Sequence, residues 1–314
     1  MNSYLEFEKP IAQLEARIAE LRAAAEGDDV DISNELRRLE LKSADLLAST
    51  YGSLTPWQKT QVARHPARPH FRDFVEQAFE DFVPLGGDRN FGEDEAIVGG
   101  FAKLDGRKVM LIGHEKGNDT ESRLRHNFGM GKPEGYRKAI RLMEMAGRFE
   151  LPVVTLVDTS GAFPGVEAEE RGQAEAIARA TEACLALPVP MVATIVGEGG
   201  SGGAVALASA ERVLMFQNAV YSVISPEGCA SILWRTAEKA PDAAGAMKIT
   251  AQDLEKLGVI DRIVPEPVGG AHRDPAAATA SLASAIAEEL DALSGKSVAD
   301  LKHMREERFL QMAG

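Results

Sequence analysis

Five glycines fall within seven positions, Gly197-Glu198-Gly199-Gly200-Ser201-Gly202-Gly203, between an apolar run (Met191 to Val196) and a stretch of small residues (Ala204 to Ala210). Glycine loses more backbone freedom on folding than any other residue. Such a run therefore implies that bare backbone is needed: for positive φ, for close helix packing, or for approach of a ligand to peptide N–H groups. A buried strand passing through glycines into a helix belongs to an α/β fold. The upstream pattern supplies the rest of a βαβ unit, with strand Val153 to Val157, helix Glu167 to Leu187 and strand Met191 to Val196. Parallel pairing with a right-handed crossover follows.

Around this unit, Ala96 to Leu104 and Arg107 to Gly113 read as strands joined by a tight turn at Asp105-Gly106, where glycine tolerates the positive φ of a hairpin. Pro133-Glu134 opens a helix running through Tyr136, Ile140 and Met143. Val213 to Phe216, Val220 to Val223 and Val259 to Val264 read as further strands, and Ala276 to Leu293 and Val298 to Phe309 as closing helices. At the other end, Ile11, Leu14, Ile18 and Leu21, then Ile32, Leu36 and Leu39, recur at helical spacing on either side of Glu26-Gly27-Asp28-Asp29. They predict an antiparallel helical hairpin whose apolar stripe must rest on the main domain or on a partner. The chain divides into a hairpin (1–54), a connecting segment punctuated by Pro66, Pro69 and Pro84 (55–95), an α/β core (96–264) and C-terminal helices (265–314).

Charge narrows the function classes. Among 314 residues, 35 Lys and Arg face 48 Asp and Glu, a formal charge of −13, which disfavours gripping a nucleic-acid backbone or an anionic membrane. No stretch approaches the roughly 20 apolar residues of a membrane span, and the N-terminal residues lack a secretory pattern, so a soluble, cytoplasmic protein is expected. Cys184 and Cys229 are expected to be reduced and packed, and zinc-ligand spacing is absent from the chain.

Three chemistries compete for the glycine segment. A P-loop would end in Gly-Lys-Ser/Thr, but the chain has Gly202-Gly203-Ala204, so nothing would reach a nucleotide's terminal phosphates. A nucleophile elbow, Gly-x-Ser-x-Gly, is met by Gly199 to Gly203 with Ser201 as nucleophile and His272 or His303 as base. In the third, Ser201 is merely small, and the N–H groups of Gly202 and Gly203 at a helix N-terminus form an oxyanion hole. A second loop, Asp158 to Gly165, leaves the carboxyl end of the preceding strand, the edge at which α/β ligands gather. It adds Asp158, Gly161 and Phe163 as binding candidates, beside the plainer readings of a helix-approach cap for Asp158 and a core or interface contact for Phe163. Residues 115–148 hold eight Lys or Arg against five Asp or Glu, net +3. There Arg123, Arg125 and Lys132 are candidates for an anionic ligand, while Arg137, Lys138 and Arg141 equally suit a solvated helix face. Ala246-Met247-Lys248-Ile249 imitates the surroundings of a biotinylated lysine but runs into a helix start at Thr250, so Lys248 reads as an ordinary surface lysine.

Several longer motifs agree with one family. Phe7-Glu8-Lys9-Pro10-Ile11, Asn127-Phe128-Gly129-Met130, Pro133 to Ala139, Ala168 to Gln173, Gly197 to Gly203, Tyr221 to Trp234 and Pro265 to Arg273 together resemble the carboxyltransferase alpha subunits of multi-subunit acetyl-CoA carboxylase. The resemblance implies a crotonase-like (ClpP/crotonase) α/β fold, a spiral of ββα units. It places an oxyanion hole at Gly202 and Gly203, with Gly199 and Gly200 shaping the loop. It also implies a zinc-bearing beta subunit in an α2β2 assembly, and a biotin carboxyl carrier protein loaded by biotin carboxylase. In that reaction a carboxyl group passes from carboxybiotin to acetyl-CoA, giving malonyl-CoA in the first committed step of fatty-acid synthesis. Ser160 and Phe163 stand where the family pattern has Pro and Tyr. A serine hydrolase and a non-catalytic scaffold of the same fold are the competing classes.

Overall fold

The computed structural model of the chain describes residues 4–25 and 33–312. Helices α1 (Lys9–Ala25) and α2 (Ser33–Tyr51) pack as the expected hairpin; the Glu26 to Asp29 connection and Ile32 lie outside the described residues. The main domain holds the base of the hairpin. Tyr51 donates to the buried Glu8 carboxylate at 2.9 Å, Arg273 reaches Glu15 at 2.8 Å and Glu8 at 3.4 Å, and Ile11 is fully buried. Of the rest of the stripe, Ile18 is buried and Leu14, Leu21, Leu36 and Leu39 are half-buried, so it is only partly covered by this chain.

Next come α3 (Pro56–Ala63), α4 (Phe71–Ala78), β1 (Glu80–Pro84), β2 (Ile97–Leu104), β3 (Arg107–His114), α5 (Thr120–Arg125), α6 (Pro133–Arg148) and β4 (Val153–Thr159). They are followed by α7 (Val166–Glu170), α8 (Gln173–Ala186), β5 (Met191–Gly200), α9 (Ser201–Ala208), β6 (Arg212–Phe216) and β7 (Val220–Ser222). The chain closes with α10 (Pro226–Trp234), α11 (Ala240–Met247), α12 (Ala251–Lys256), β8 (Arg262–Val264), α13 (Pro275–Leu293) and α14 (Val298–Met312). One sheet runs β1-β2-β3-β4-β5-β6-β8, with β7 beside the end of β5. The pairing is antiparallel across β1, β2 and β3 and parallel from β3 to β8, as the βαβ pattern requires. The β2–β3 turn has Asp105 at φ +49° and Gly106 at φ +74°, the two positive values of the tight hairpin expected there.

Helices α6, α8 and α9 cover one face of the sheet, where the Thr155 hydroxyl donates to Leu207 O at 2.6 Å. On the other face lie α4 and α13, with Phe74 6.0 Å from the ring of Phe216. Among the described residues no helix is long and apolar enough to cross a membrane.

Several boundaries differ from the sequence reading, three of them for a clear structural reason. The helix expected over Glu167 to Leu187 is two, because Gly172 at φ +81° breaks it between α7 and α8. The last strand starts at Arg262 rather than Val259, since Val259 N–H turns back to Leu254 O. The glycine segment is not a loop. Strand β5 continues to Gly200 because Thr159 pairs with Gly199 on one side and β7 pairs with Glu198 to Gly200 on the other. Helix α9 then starts at Ser201, three residues before the expected Ala204, so Gly202 and Gly203 lie in its first turn.

Candidate active site

Strands β4 and β5 end side by side, and what leaves them forms a crevice. After β4, the Thr159 hydroxyl donates to Gly161 O at 2.7 Å and accepts from Gly161 N–H at 3.1 Å, closing a tight loop around Gly161 at φ +147°. The buried Gln173 amide fastens this loop to the preceding segment, donating to both Phe163 O and Gly131 O at 2.9 Å, while Phe163 N–H donates to Gly131 O at 3.0 Å. Lys132 lies over the Phe163 ring at 5.3 Å, a cation–π contact.

After β5, Ser201 turns the chain at φ +52° and is itself exposed. The N–H groups of the first helical turn, Ser201 to Gly203, have no carbonyl one turn earlier to receive them, and the positive end of the helix dipole adds to their pull on an anion. Close approach explains two of the glycines. A Cβ on Gly200 would collide with Ser160 O, and one on Gly203 would stand 2.7 Å from Ala162 N, 2.8 Å from Gly161 C and 3.0 Å from the Tyr136 hydroxyl. The two loops thus meet backbone to backbone at the mouth of α9. Beside them Ser201 borders an apolar cavity of about 450 Å³ whose walls include Val205, Tyr221, Ile224, Cys229 and Met247. Lys248, at φ +57° after α11, also lines this cavity, a place the surface-lysine reading did not give it.

Residues 4–313 match the family model described as acetyl co-enzyme A carboxylase carboxyltransferase-like. The chain belongs to this family. It is 83% identical over 314 residues, covering 100% of both chains, to the acetyl-coenzyme A carboxylase carboxyl transferase subunit alpha of Erythrobacter litoralis. To the subunit of the same name from Zymomonas mobilis it is 65% identical, again over 100% of both. Among solved structures, transcarboxylase 12S superposes with a TM-score of 0.58 at 21% identity, over 73% of this chain and 43% of that one. The beta subunit of Pseudomonas aeruginosa geranyl-CoA carboxylase gives 0.56 at 17%, over 80% and 46%. At such identities the likeness speaks for the fold, which is the α/β, crotonase-like one expected from the sequence motifs.

In this carboxyltransferase-family chain Ser201 has the backbone of a nucleophile elbow without its base. His303 pairs with Glu307 on the exposed side of α14, and His272 is stacked on His65 at 3.9 Å with burial pushing its pKa down to about 3. Neither borders the cavity that Ser201 lines.

Asp158 points to the opposite face of the sheet from α9 and caps no helix. It accepts from Glu198 N–H at 2.9 Å, lies 2.6 Å from the Lys116 ammonium and 3.4 Å from His70 Nδ1. Burial raises its pKa, but the Lys116 ammonium and then His70 outweigh it and hold the carboxyl well below the usual carboxylate range. Asp158 is thus an ionised clamp joining β4, β5 and the turn after β3. Next to it, Arg64 grips Glu198 at 2.6 and 3.0 Å and Glu227 at 2.6 Å.

The basic segment separates into two groups. Arg137 lies 3.8 Å from Asp88, Lys138 is buried against Glu93 and the Asp94 carbonyl, and Arg141 donates to the carbonyls of Leu85, Gly86 and Gly87. These three fasten α6 to residues 85–94. Arg125 is exposed, between Glu121 at 3.7 Å and Glu95 at 4.0 Å, whereas Arg123 borders a cavity with Lys116 and His70.

Sequence reasoning missed Lys116, His70, His114 and Arg64, which carry no motif of their own, and gave Tyr136 a helix and a motif but not its place beside Gly203. His114 is fully buried, both ring nitrogens lack a hydrogen-bond partner, and burial takes its pKa down to about 3. The unfolded chain binds that proton near 6.5, so below about pH 6.5 unfolding is favoured by proton uptake, at up to about 1.4 kcal/mol per pH unit. The melting temperature is expected to fall as pH drops from 6.5 towards 4, and His114→Phe to make the fall shallower. Parallel melting curves for the two proteins over that range would contradict the assignment.

Proposed function

We propose that this chain supplies the Gly202–Gly203 oxyanion hole of a two-chain carboxyltransferase that moves a carboxyl group between biotin on a carrier protein and acetyl-CoA. As a family member it is a component of biotin-dependent acetyl-CoA carboxylase. The observation that carries the site assignment is the first turn of α9 opening, through Gly203, on the backbone of Gly161 and Ala162. Carboxyl transfer of this kind puts negative charge on an amide-like or thioester oxygen, and preorganised N–H donors stabilise that charge more as it develops than in the ground state. A carboxylate would repel it. The buried acids at the ends of β4 and β5, Asp158 and Glu198, are turned to Lys116 and Arg64 instead.

The cavity at Ser201 fits biotin. Val205, Tyr221 and Ile224 would hold an apolar ring, and the N–H groups of Gly202 and Gly203 its ureido carbonyl. When bound, biotin supplies the carboxyl group. The chain's own residues orient it, shield it from water and donate hydrogen bonds. Gly161, where a Cβ would stand 3.9 Å from that of Ser201, borders the rim, and Phe163 in the same loop is braced by Gln173 and Lys132 without a tyrosine hydroxyl. The zinc site belongs to a beta subunit, the assembly is α2β2 in the cytoplasm, and biotin carboxyl carrier protein and biotin carboxylase deliver the loaded biotin. The assignment is tested by assaying malonyl-CoA-dependent carboxylation of biotin with this chain alone and mixed with a carboxyltransferase beta subunit. Activity is expected in the mixture only. Full activity from this chain alone contradicts the two-chain reading, and none in either favours a scaffold.

A further inference from the structure

On the face of the sheet opposite α9, α3, the turn after β3 and α5 enclose a second cavity of about 190 Å³, lined by Arg64, His65, His70, Lys116, Arg123 and Phe128 among others. Every titratable side chain in its wall is basic or an imidazole. The carboxylates that balance Arg64 and Lys116 stand outside the lining: Asp158, Glu198 and Glu227 hold those side chains from behind or from the side. The buried Glu115 is occupied by the N–H groups of Arg72 and Gly117.

Two further observations make this a built site. His70 is 7% exposed, and its Nδ1 stands 3.4 Å from the Asp158 carboxylate, which holds the imidazole in place at the wall. Arg123 forms no ion pair among the described residues; its Nε only touches Gly117 O at 3.4 Å. The donors are also fixed in place. Gly129, at φ +77°, leaves room for the Lys116 stem, whose Cγ would be 2.8 Å from any Cβ there, and Gly117, at φ +75°, lies against the backbone of Ser122 and Arg123.

We propose that this cavity binds a phosphate group. Converging guanidinium, ammonium and imidazole donors, held before the ligand arrives, suit a compact tetrahedral oxyanion. The volume holds one such group with a few waters, each taking about 30 Å³. A long polyanion is disfavoured by the net charge of −13 that the whole chain carries. The phosphate belongs either to free inorganic phosphate or to the phosphomonoester of coenzyme A. The second source rests on the carboxyltransferase reading; the site itself does not.

The test is calorimetric titration of the full chain with inorganic phosphate, coenzyme A and dephospho-coenzyme A, comparing the natural protein with Arg123→Gln and Arg72→Gln. Arg72 is exposed, near His70 in sequence, and outside the lining, so its loss changes the charge without changing the site. Arg123→Gln is expected to weaken phosphate binding about tenfold or more, as loss of a charge-assisted hydrogen bond does, while Arg72→Gln changes it by less than about twofold. Coenzyme A that binds in an Arg123-dependent way, with dephospho-coenzyme A at least about tenfold weaker, identifies the phosphomonoester as the ligand. Arg123-dependent phosphate binding with which coenzyme A does not compete identifies free phosphate. No phosphate binding, or equal weakening by the two substitutions, overturns the proposal, and circular dichroism confirms that each variant is folded.

Discussion

Gly203→Val is expected to abolish carboxyl transfer while leaving the chain folded enough to associate with its partner. The new Cβ would stand 2.7 Å from Ala162 N and 2.8 Å from Gly161 C, distances that real side chains do not adopt, so either α9 or the Gly161–Phe163 loop must move. Either movement turns the first-turn N–H groups away from the crevice. Loss of one oxyanion-hole donor lowers kcat by about 10²- to 10³-fold, and displacing the loop as well carries the loss to the limit of detection. Gly202→Ala should be milder, because its Cβ would meet only the Ile177 side chain, Cγ2 at 3.3 Å and Cδ1 at 3.8 Å.

Ser201→Ala is the companion measurement. In a serine hydrolase it would remove the nucleophile and with it essentially all activity. With a hole made of backbone donors it removes only a hydroxyl from the rim of the cavity, and most transferase activity should remain. An inactive Ser201→Ala, or labelling of Ser201 by a fluorophosphonate, would overturn the backbone reading.

How much of this was legible in the sequence depends on the range of the interactions. The Asp105-Gly106 turn, the β4–α8–β5 unit and the N-terminal hairpin follow from local periodicity and turn chemistry, and the structure has them. The extent of β5 does not, because glycines read as loop signals until it is known that β7 and Thr159 pair alongside them. The break at Gly172 lies inside an otherwise unbroken helical pattern. The Asp158–Lys116–His70 cluster joins residues from three separated stretches of chain that the parallel sheet brings together. Gly202 and Gly203 stand out in the sequence because the oxyanion hole proposed for them would be a property of the backbone, which leaves a compositional trace. Lys116 and His70 act as single side chains and leave none.

That long-range class includes the second large effect. Arg68 is nearly inaccessible, and its guanidinium donates to both Glu266 oxygens, at 2.7 and 2.9 Å, and to Val196 O at 2.8 Å. Strand β5 pairs with β6 as far as Ile195 and with β7 from Glu198, so the Val196 carbonyl falls where one neighbour has ended and the other has not begun. Arg68 fills that gap just before the glycines. Glu266, equally buried, also accepts from Asn218 N–H at 2.9 Å and Ala271 N–H at 2.8 Å, fixing the segment after β8 to the same point. Arg68→Met should therefore cost about 3 to 5 kcal/mol, the usual result of stranding one partner of a buried ion pair, and lower the melting temperature by on the order of 10 °C. Neutralising the stranded carboxylate as well, in Arg68→Met/Glu266→Gln, should recover a large part of that loss. A single variant that melts within about 2 °C of the natural protein would show that the pair is dispensable. If the double variant regains stability but not activity, the Val196 contact is needed to hold the end of β5, and with it the N–H groups of α9, in place.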